Sequence, residues 1–379
     1  MTELLPIFIF SMILAYLSDR SSDAYIDEWG SKRYTRKDKI FFFIMALGMC
    51  VFVGLRRSYN DTYTYLQMYG NLSAKESIAS QIKLSLASSP GFTFVSLLMK
   101  KTGCSDQTHL MLFALFDVGV ALWFIRKYTN SITLAVFYFY AIGTYTFFMA
   151  AIMQCTALSC CLLAVDRLLA NKKIPFIIWV LIGISFHTYC ALFLITPLML
   201  KAPWTKITYF TIIIILLIIM FLRPLLETLI TITTAMGETY TVEEFSQEGV
   251  NAFRVAVSII PTIMSFAARR FLITGNDKKD NLLINLAILN GLLMFLALFG
   301  TANYFARMAN YFQIFQIFAL PLLFKYYNTQ SKSLVTTMSI IGYSAYFYYS
   351  NAILYGGFDH LFRKITLLEY LQSLFQGYI

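Results

Sequence analysis

The chain has 379 residues, 58% of them hydrophobic and only 13% charged, with mean hydropathy +0.65. Soluble domains run at roughly 45–50% apolar and 25% charged residues, so this composition excludes a soluble globular enzyme, a disordered chain and a disulfide-stapled secreted domain. The 30 Lys and Arg outnumber the 20 Asp and Glu, but they sit between apolar runs, so membrane topology accounts for the net charge of +10 better than nucleic-acid binding does.

A helix that crosses a bilayer takes about 20 mostly apolar residues, fewer where it bends or the bilayer thins. On that measure the sequence predicts an all-α, polytopic integral membrane protein, a single domain over 1–379 with about 12 transmembrane helices. In chain order the spans fall near 4–17, 40–55, 109–125, 131–149, 150–168, 174–186, 188–200, 205–222, 252–268, 282–300, 305–324 and 334–352. The first run, Leu4 to Leu17, lacks a basic leader and a small-residue cleavage site, and reads as a retained span. The pair 174–186 and 188–200 is short and punctuated by Pro175, Gly183 and Pro197. It reads either as two half-length helices meeting near the outer interface or as one long span. Two sizeable extracytoplasmic loops are expected. One covers 56–107 and includes an amphipathic segment, Pro90–Lys101, suited to a short interfacial helix. The other covers 223–251 and carries Glu238, Glu243, Glu244 and Glu248. Of the six cysteines, all but Cys104 lie in apolar runs and behave as small hydrophobes, and no spacing of Cys or His suggests a metal.

Lys and Arg concentrate on one side of this map, in the segment after the first span and at alternate junctions thereafter. The positive-inside rule makes that side cytoplasmic and both termini external. An ionisable side chain at a span costs about 2.5–3.5 kcal/mol, so it generally has a partner or a task. Arg56 and Arg57 end the second span and are followed by Asp61 and Tyr65; Gln154 lies near the outer end of the fifth, and His187 ends the sixth. Arg254 opens the ninth, and Arg307, with Tyr311 after it, opens the eleventh. The charge-derived topology puts them all on the external face. Singly, an arginine at a helix end snorkels to headgroups, a lone histidine packs in a core, and Asp61 pairs with Arg56 or Arg57. Together, arginines at three external helix ends with few acids beside them make a cationic pocket. The planar guanidinium fork suits an anionic lipid headgroup such as a diphosphate. No phosphate-loop, dinucleotide, zinc-protease or serine-hydrolase motif is present.

At this point the pattern resembles the EpsG-like group of Wzy-type polysaccharide polymerases. The likeness rests on Gly54-Leu55-Arg56 with Asp61-Thr62 and Tyr65, on Pro90-Gly91-Phe92, and on Gln154 followed by Lys172-Lys173 and Phe186-His187. Arg254 and Arg307…Tyr311-Phe312 extend it, so that it spans roughly 40–325. Ser89 stands where that group commonly has Glu, and Met153 where it has Arg. The resemblance implies polymerisation of undecaprenyl-diphosphate-linked oligosaccharide repeats into O-antigen, capsule or exopolysaccharide, at the outer face of a bacterial plasma (inner) membrane. An O-antigen ligase would do the same chemistry on another acceptor, and a lipid-linked oligosaccharide flippase would need a cationic cavity open to both sides. The expected partners are lipid-linked repeats as donor and acceptor, membrane lipids, and a chain-length regulator and flippase of the same pathway, with no nucleic acid. No cofactor and no metal is expected, because the donor carries its own diphosphate leaving group. The expected catalytic residues are His187 as base, with Asp61 next in line, and Arg254 and Arg307 as phosphate ligands. Arg56, Arg57, Gln154, Tyr65 and Tyr311 are expected to bind substrate.

Overall fold

The computed structural model describes residues 1–26, 32–82, 89–222, 225, 227–228, 250–275, 277–299, 305–327 and 329–376. The acidic stretch Glu238–Glu248 lies outside them. Helices dominate, and every expected span falls on helical residues. The chain divides into two compact units, residues 1–194 with 342–379, and residues 195–341.

The first unit opens with α1 (Leu4–Arg20), a hairpin of β1 (Asp23–Ile26) and β2 (Lys32–Arg36), and α2 (Ile40–Gly54). After β3 (Arg56–Ser58), the first of the two expected loops folds into α3 (Thr62–Gly70), α4 (Ile78–Gln81) and α5 (Pro90–Lys101). The last matches the amphipathic segment read from the sequence. Next come α6 (Asp106–Tyr128), α7 (Ile132–Ala141), α8 (Thr144–Ala150), α9 (Ile152–Leu169) and α10 (Lys173–Phe186). Helix α6 is central: it packs on α2 and α9, and α9 packs in turn on α10.

The run at 131–149 is not one straight helix. Gly143, at φ +84°, breaks it, and α7 and α8 meet at 54°. The pair at 174–200 divides into two helices of different type. His187 leaves helical geometry, and Thr188–Leu200 continues as a 3₁₀-helix around Pro197. The second unit holds most of α11 to α17: Lys206–Met220, Ala252–Ala267, Arg269–Leu272, Lys278–Leu296, Arg307–Gln313, Gln316–Phe324 and Thr329–Tyr348, whose last residues return to the first unit. The chain closes in the first unit with α18 (Phe358–Leu361), β4 (Arg363–Lys364) and α19 (Leu367–Gln376). β4 pairs antiparallel with β3, so the all-α expectation is modified by two short ladders.

Among the described residues three helices, α6, α9 and α14, are long and apolar enough to cross a bilayer, and the bent α7–α8 pair makes a fourth if taken as one span. Five further apolar helices are shorter. A helical membrane protein is what these elements make, but they do not establish twelve crossings.

Basic residues close several helix ends, where exposed carbonyls carry partial negative charge. Lys37 Nζ donates to the carbonyls of Arg126, Lys127 and Thr129 at the end of α6, while Arg126 donates back to the carbonyls of Lys37 and Asp38. Lys127 pairs with the buried Asp166 of α9, and in the second unit Lys325 pairs with Asp280 at 3.0 Å. These are loops that the charge bias reads as cytoplasmic, so part of that bias is also structural.

Candidate functional site

In the first unit the site is built around the end of α2. Gly54 is required there because a Cβ would lie 2.4 Å from the Met111 sulfur and 3.0 Å from its Cα. That approach brings α2 onto α6, and Gln107 of α6 donates to the carbonyls of Gly54 (2.6 Å) and Arg56 (3.2 Å). The backbone of Arg56 is thereby fixed and its side chain turns inward, with 1% exposure. Its Nη1 donates to the Val53 carbonyl at 2.8 Å and its Nε to Thr62 Oγ1 at 3.3 Å. A guanidinium does not lose its proton in a protein, so the group is an enclosed cation. An arginine that snorkels to headgroups would be exposed; this one is not.

Asp117, midway along α6, is the acid that acts on Arg56. Its Oδ2 accepts from Thr156 at 3.0 Å and its carbonyl from Ser159 at 3.3 Å, both from α9. Its Oδ1 is buried without a hydrogen-bond partner among the described residues. The Asp117 side chain was missed in the sequence reading, although an acid inside an apolar run is the signal to look for. His109 was missed as well. Its Nε2 meets Ser96 Oγ of α5 at 3.0 Å, and its ring stacks on Tyr69 of α3 with centroids 4.1 Å apart. Together with Phe92 it ties α3, α5 and α6 into one wall.

The remaining expected residues of this unit divide into two groups. Tyr65 is buried, its ring 5.7 Å from Phe92. Gln154 is buried in the first turn of α9, which restarts after a break at Ala151. A Cβ on Gly91 would fall 2.2 Å from Ser185 Oγ and 3.1 Å from the Phe186 ring, so Pro90-Gly91-Phe92 abuts the end of α10. His187 caps that end, half-buried, with its ring against Tyr189 at 4.9 Å. By contrast Arg57 and Asp61 are exposed. Asp61 precedes α3 without capping it, and among the described residues it forms no ion pair with Arg56 or Arg57. The simple pairing considered from sequence is therefore corrected: Arg56 is held by a carbonyl and a hydroxyl instead.

In the second unit Arg254, in the first turn of α12, donates from Nη2 to Asn310 Oδ1 at 2.6 Å. Asn310 is on α15, which begins at Arg307, so the two arginines belong to one corner, with Arg307 exposed at its helix start. Tyr311 is fully buried on the same helix. Behind it Asn290 donates to the Ala309 carbonyl at 2.7 Å and accepts from Gln316 at 2.5 Å. These buried amides fix α15 against α14 and so set the Arg254–Asn310 contact.

The first unit thus gathers Gly54-Leu55-Arg56, Tyr65, Pro90-Gly91-Phe92, Gln154 and Phe186-His187 on elements packed around or next to α6, and the second gathers Arg254 with the helix of Arg307 and Tyr311. No curated protein and no solved structure matches the chain. The profile of the EpsG family matches residues 39–363, which contain both constellations and most of the sequence. The chain therefore belongs to the EpsG family, and with it to the helical membrane proteins of polysaccharide biosynthesis.

Proposed function

We propose that this protein polymerises undecaprenyl-diphosphate-linked oligosaccharide repeats at the outer face of a bacterial plasma membrane. The observation that carries the reading is a chain of contacts inside a member of the EpsG family: Arg56 is buried with Tyr65 in its field, Tyr65 packs on Phe92, and Pro90-Gly91-Phe92 abuts the end of α10 at Phe186-His187. A transfer between two lipid-linked glycans needs little beyond positioning and charge stabilisation, because the diphosphate is already a good leaving group. The bond between the donor's anomeric carbon and its diphosphate breaks. A new glycosidic bond forms to a hydroxyl of the acceptor's non-reducing-end sugar. The hydroxyl proton passes to a base, and undecaprenyl diphosphate leaves.

In this reading Arg254 and Arg307 meet the charge that builds on the departing diphosphate, and Arg57 adds to it at the surface. His187 accepts the proton, since a neutral imidazole does so near neutral pH, with Asp61 as the next base. Gln154, Tyr65 and Tyr311 orient sugars or phosphates. Arg56, enclosed as it is, contributes a fixed positive field rather than a direct grip. No metal is assigned a step, so EDTA should leave the purified enzyme's rate unchanged; a divalent requirement would count against arginine-only stabilisation.

Deleting the gene and resolving surface glycans by gel electrophoresis tests the class. A polymerase deletion leaves single repeats on the surface. Long chains retained on the lipid carrier would instead indicate a ligase, and repeats trapped inside the cell a flippase.

A further inference from the structure

The segment that follows the family match carries a row of leucines that the proposed reaction does not use, flanked by Arg57, which it does. Helix α19 starts with a reciprocal cap: the Thr366 amide donates to Glu369 Oε2 at 2.6 Å and the Glu369 amide to Thr366 Oγ1 at 3.2 Å. Helix formation here thus has a local cause. Along it, Leu367, Leu368, Leu371 and Leu374 share one face at helical spacing, with Glu369, Gln372 and Ser373 opposite. The leucines are exposed, at 49%, 65%, 43% and 36%. Among the helix residues whose burial is described, only Tyr370, at their edge, is buried, in a cluster with Leu55 and Met111.

That root sets the depth. Leu55 is the residue at which the apolar α2 ends, and α2 itself exposes Ile40, Phe43, Ile44 and Leu47. The Ile365 amide donates to the Leu55 carbonyl at 3.0 Å, and β4 pairs with β3, with Arg56 opposite Lys364. The leucine row is therefore held where an apolar helix gives way to polar chain. Beside it stand two exposed guanidiniums that no acid neutralises among the described residues. Arg363 donates only to the carbonyls of Asp359 and Phe362, and Arg57 has no ion pair. Apolar row and cationic rim together match an anionic phospholipid surface.

We propose that α19 lies in the bilayer interface, its leucines in the headgroup–acyl boundary and Arg57 and Arg363 on lipid phosphates, and that it holds β4, and through it the Arg56 strand, at that depth. The test uses the full chain in vesicles containing phosphatidylglycerol, with Cys104→Ser as background and a nitroxide on Leu371→Cys or on Gln372→Cys. Oxygen should collide more with the label at 371, and a water-soluble nickel chelate more with the label at 372. In pure phosphatidylcholine, or after Arg57→Gln with Arg363→Gln, the label at 371 should become shallower. Equal nickel access at the two positions would overturn the proposal. So would exclusion of both reagents from 371, which would mean that protein rather than lipid covers the leucines. An unchanged depth without anionic lipid would overturn the role of the two arginines.

Discussion

At the scale of single residues, the arginines separate by surroundings rather than by sequence context. Arg254→Lys and Arg307→Lys keep the charge but lose the fork, and Arg254→Lys also weakens the bond to Asn310. Each should lose most polymerisation while still inserting; unchanged glycan length with both would mean that these arginines only position helices. His187→Ala should slow turnover by about 10²–10⁴-fold if its imidazole takes the proton. His187→Gln then separates base from hydrogen-bonding residue, because the amide cannot accept a proton at neutral pH, and near-normal turnover in that variant transfers the role to Asp61, tested by Asp61→Asn. Asp359 offers a pH test. Burial would raise its pKa, but the terminal amine, the Thr2 amide and hydroxyl and the Glu3 amide outweigh this and lower it to about 2. Its folded pKa lies below that of an ordinary aspartate, so its contribution is present above that range and fades as pH falls towards 2. Thermal stability should therefore drop less steeply below pH 4 in Asp359→Asn than in the parent; parallel curves would show that this contact adds nothing.

At the scale of elements, the glycines make the sharpest contrast. Gly54→Ala forces a methyl against the Met111 backbone and should destabilise by about 1–3 kcal/mol. Gly119→Ala, in α6 with open space at its Cβ, should be neutral or stabilising by about 0.5–1 kcal/mol. Chemical denaturation in detergent compares the two, and equal effects would mean that α2 does not approach α6 this closely. The helices themselves were legible, because long apolar runs and the amphipathic spacing of Pro90–Lys101 are local signals. The break at Gly143 was not drawn from the sequence, since one glycine inside an apolar run reads equally well as packing. The β3–β4 ladder could not be read, as two or three residues have no periodicity and the partner lies at the far end of the chain. The site was legible as a list of polar residues at helix ends. Which of them turn inward was not, because the burial of Arg56 depends on Gln107 and Gly54 fixing its backbone, and Asp117 was hidden in a run scored for its hydropathy.

At the scale of the whole molecule, the topology is open to direct labelling. With Cys104→Ser as background, Gly70→Cys should react with an impermeant thiol reagent in intact cells, whereas Lys278→Cys should react only after lysis. Reaction at 278 but not at 70 would reverse the charge-derived map and, with it, the outward site. The test is informative because several of the basic residues behind that map, Lys37, Arg126 and Lys325 among them, also serve helix ends or ion pairs. Their location therefore has two causes, and only one of them concerns the membrane.

The pairing of Arg56 with Lys364 has a temporal consequence. The strand at 56–58 is synthesised long before its partner at 363–364. Until that partner emerges the early strand has an open edge, and the contacts of Leu55 with Ile365 and Tyr370 are missing. A ribosome-bound chain can thus thread its helices into the bilayer one after another well before the corner that holds Arg56 closes. Assembly of this corner is a late, long-range step, the kind that loop-closure entropy makes slow.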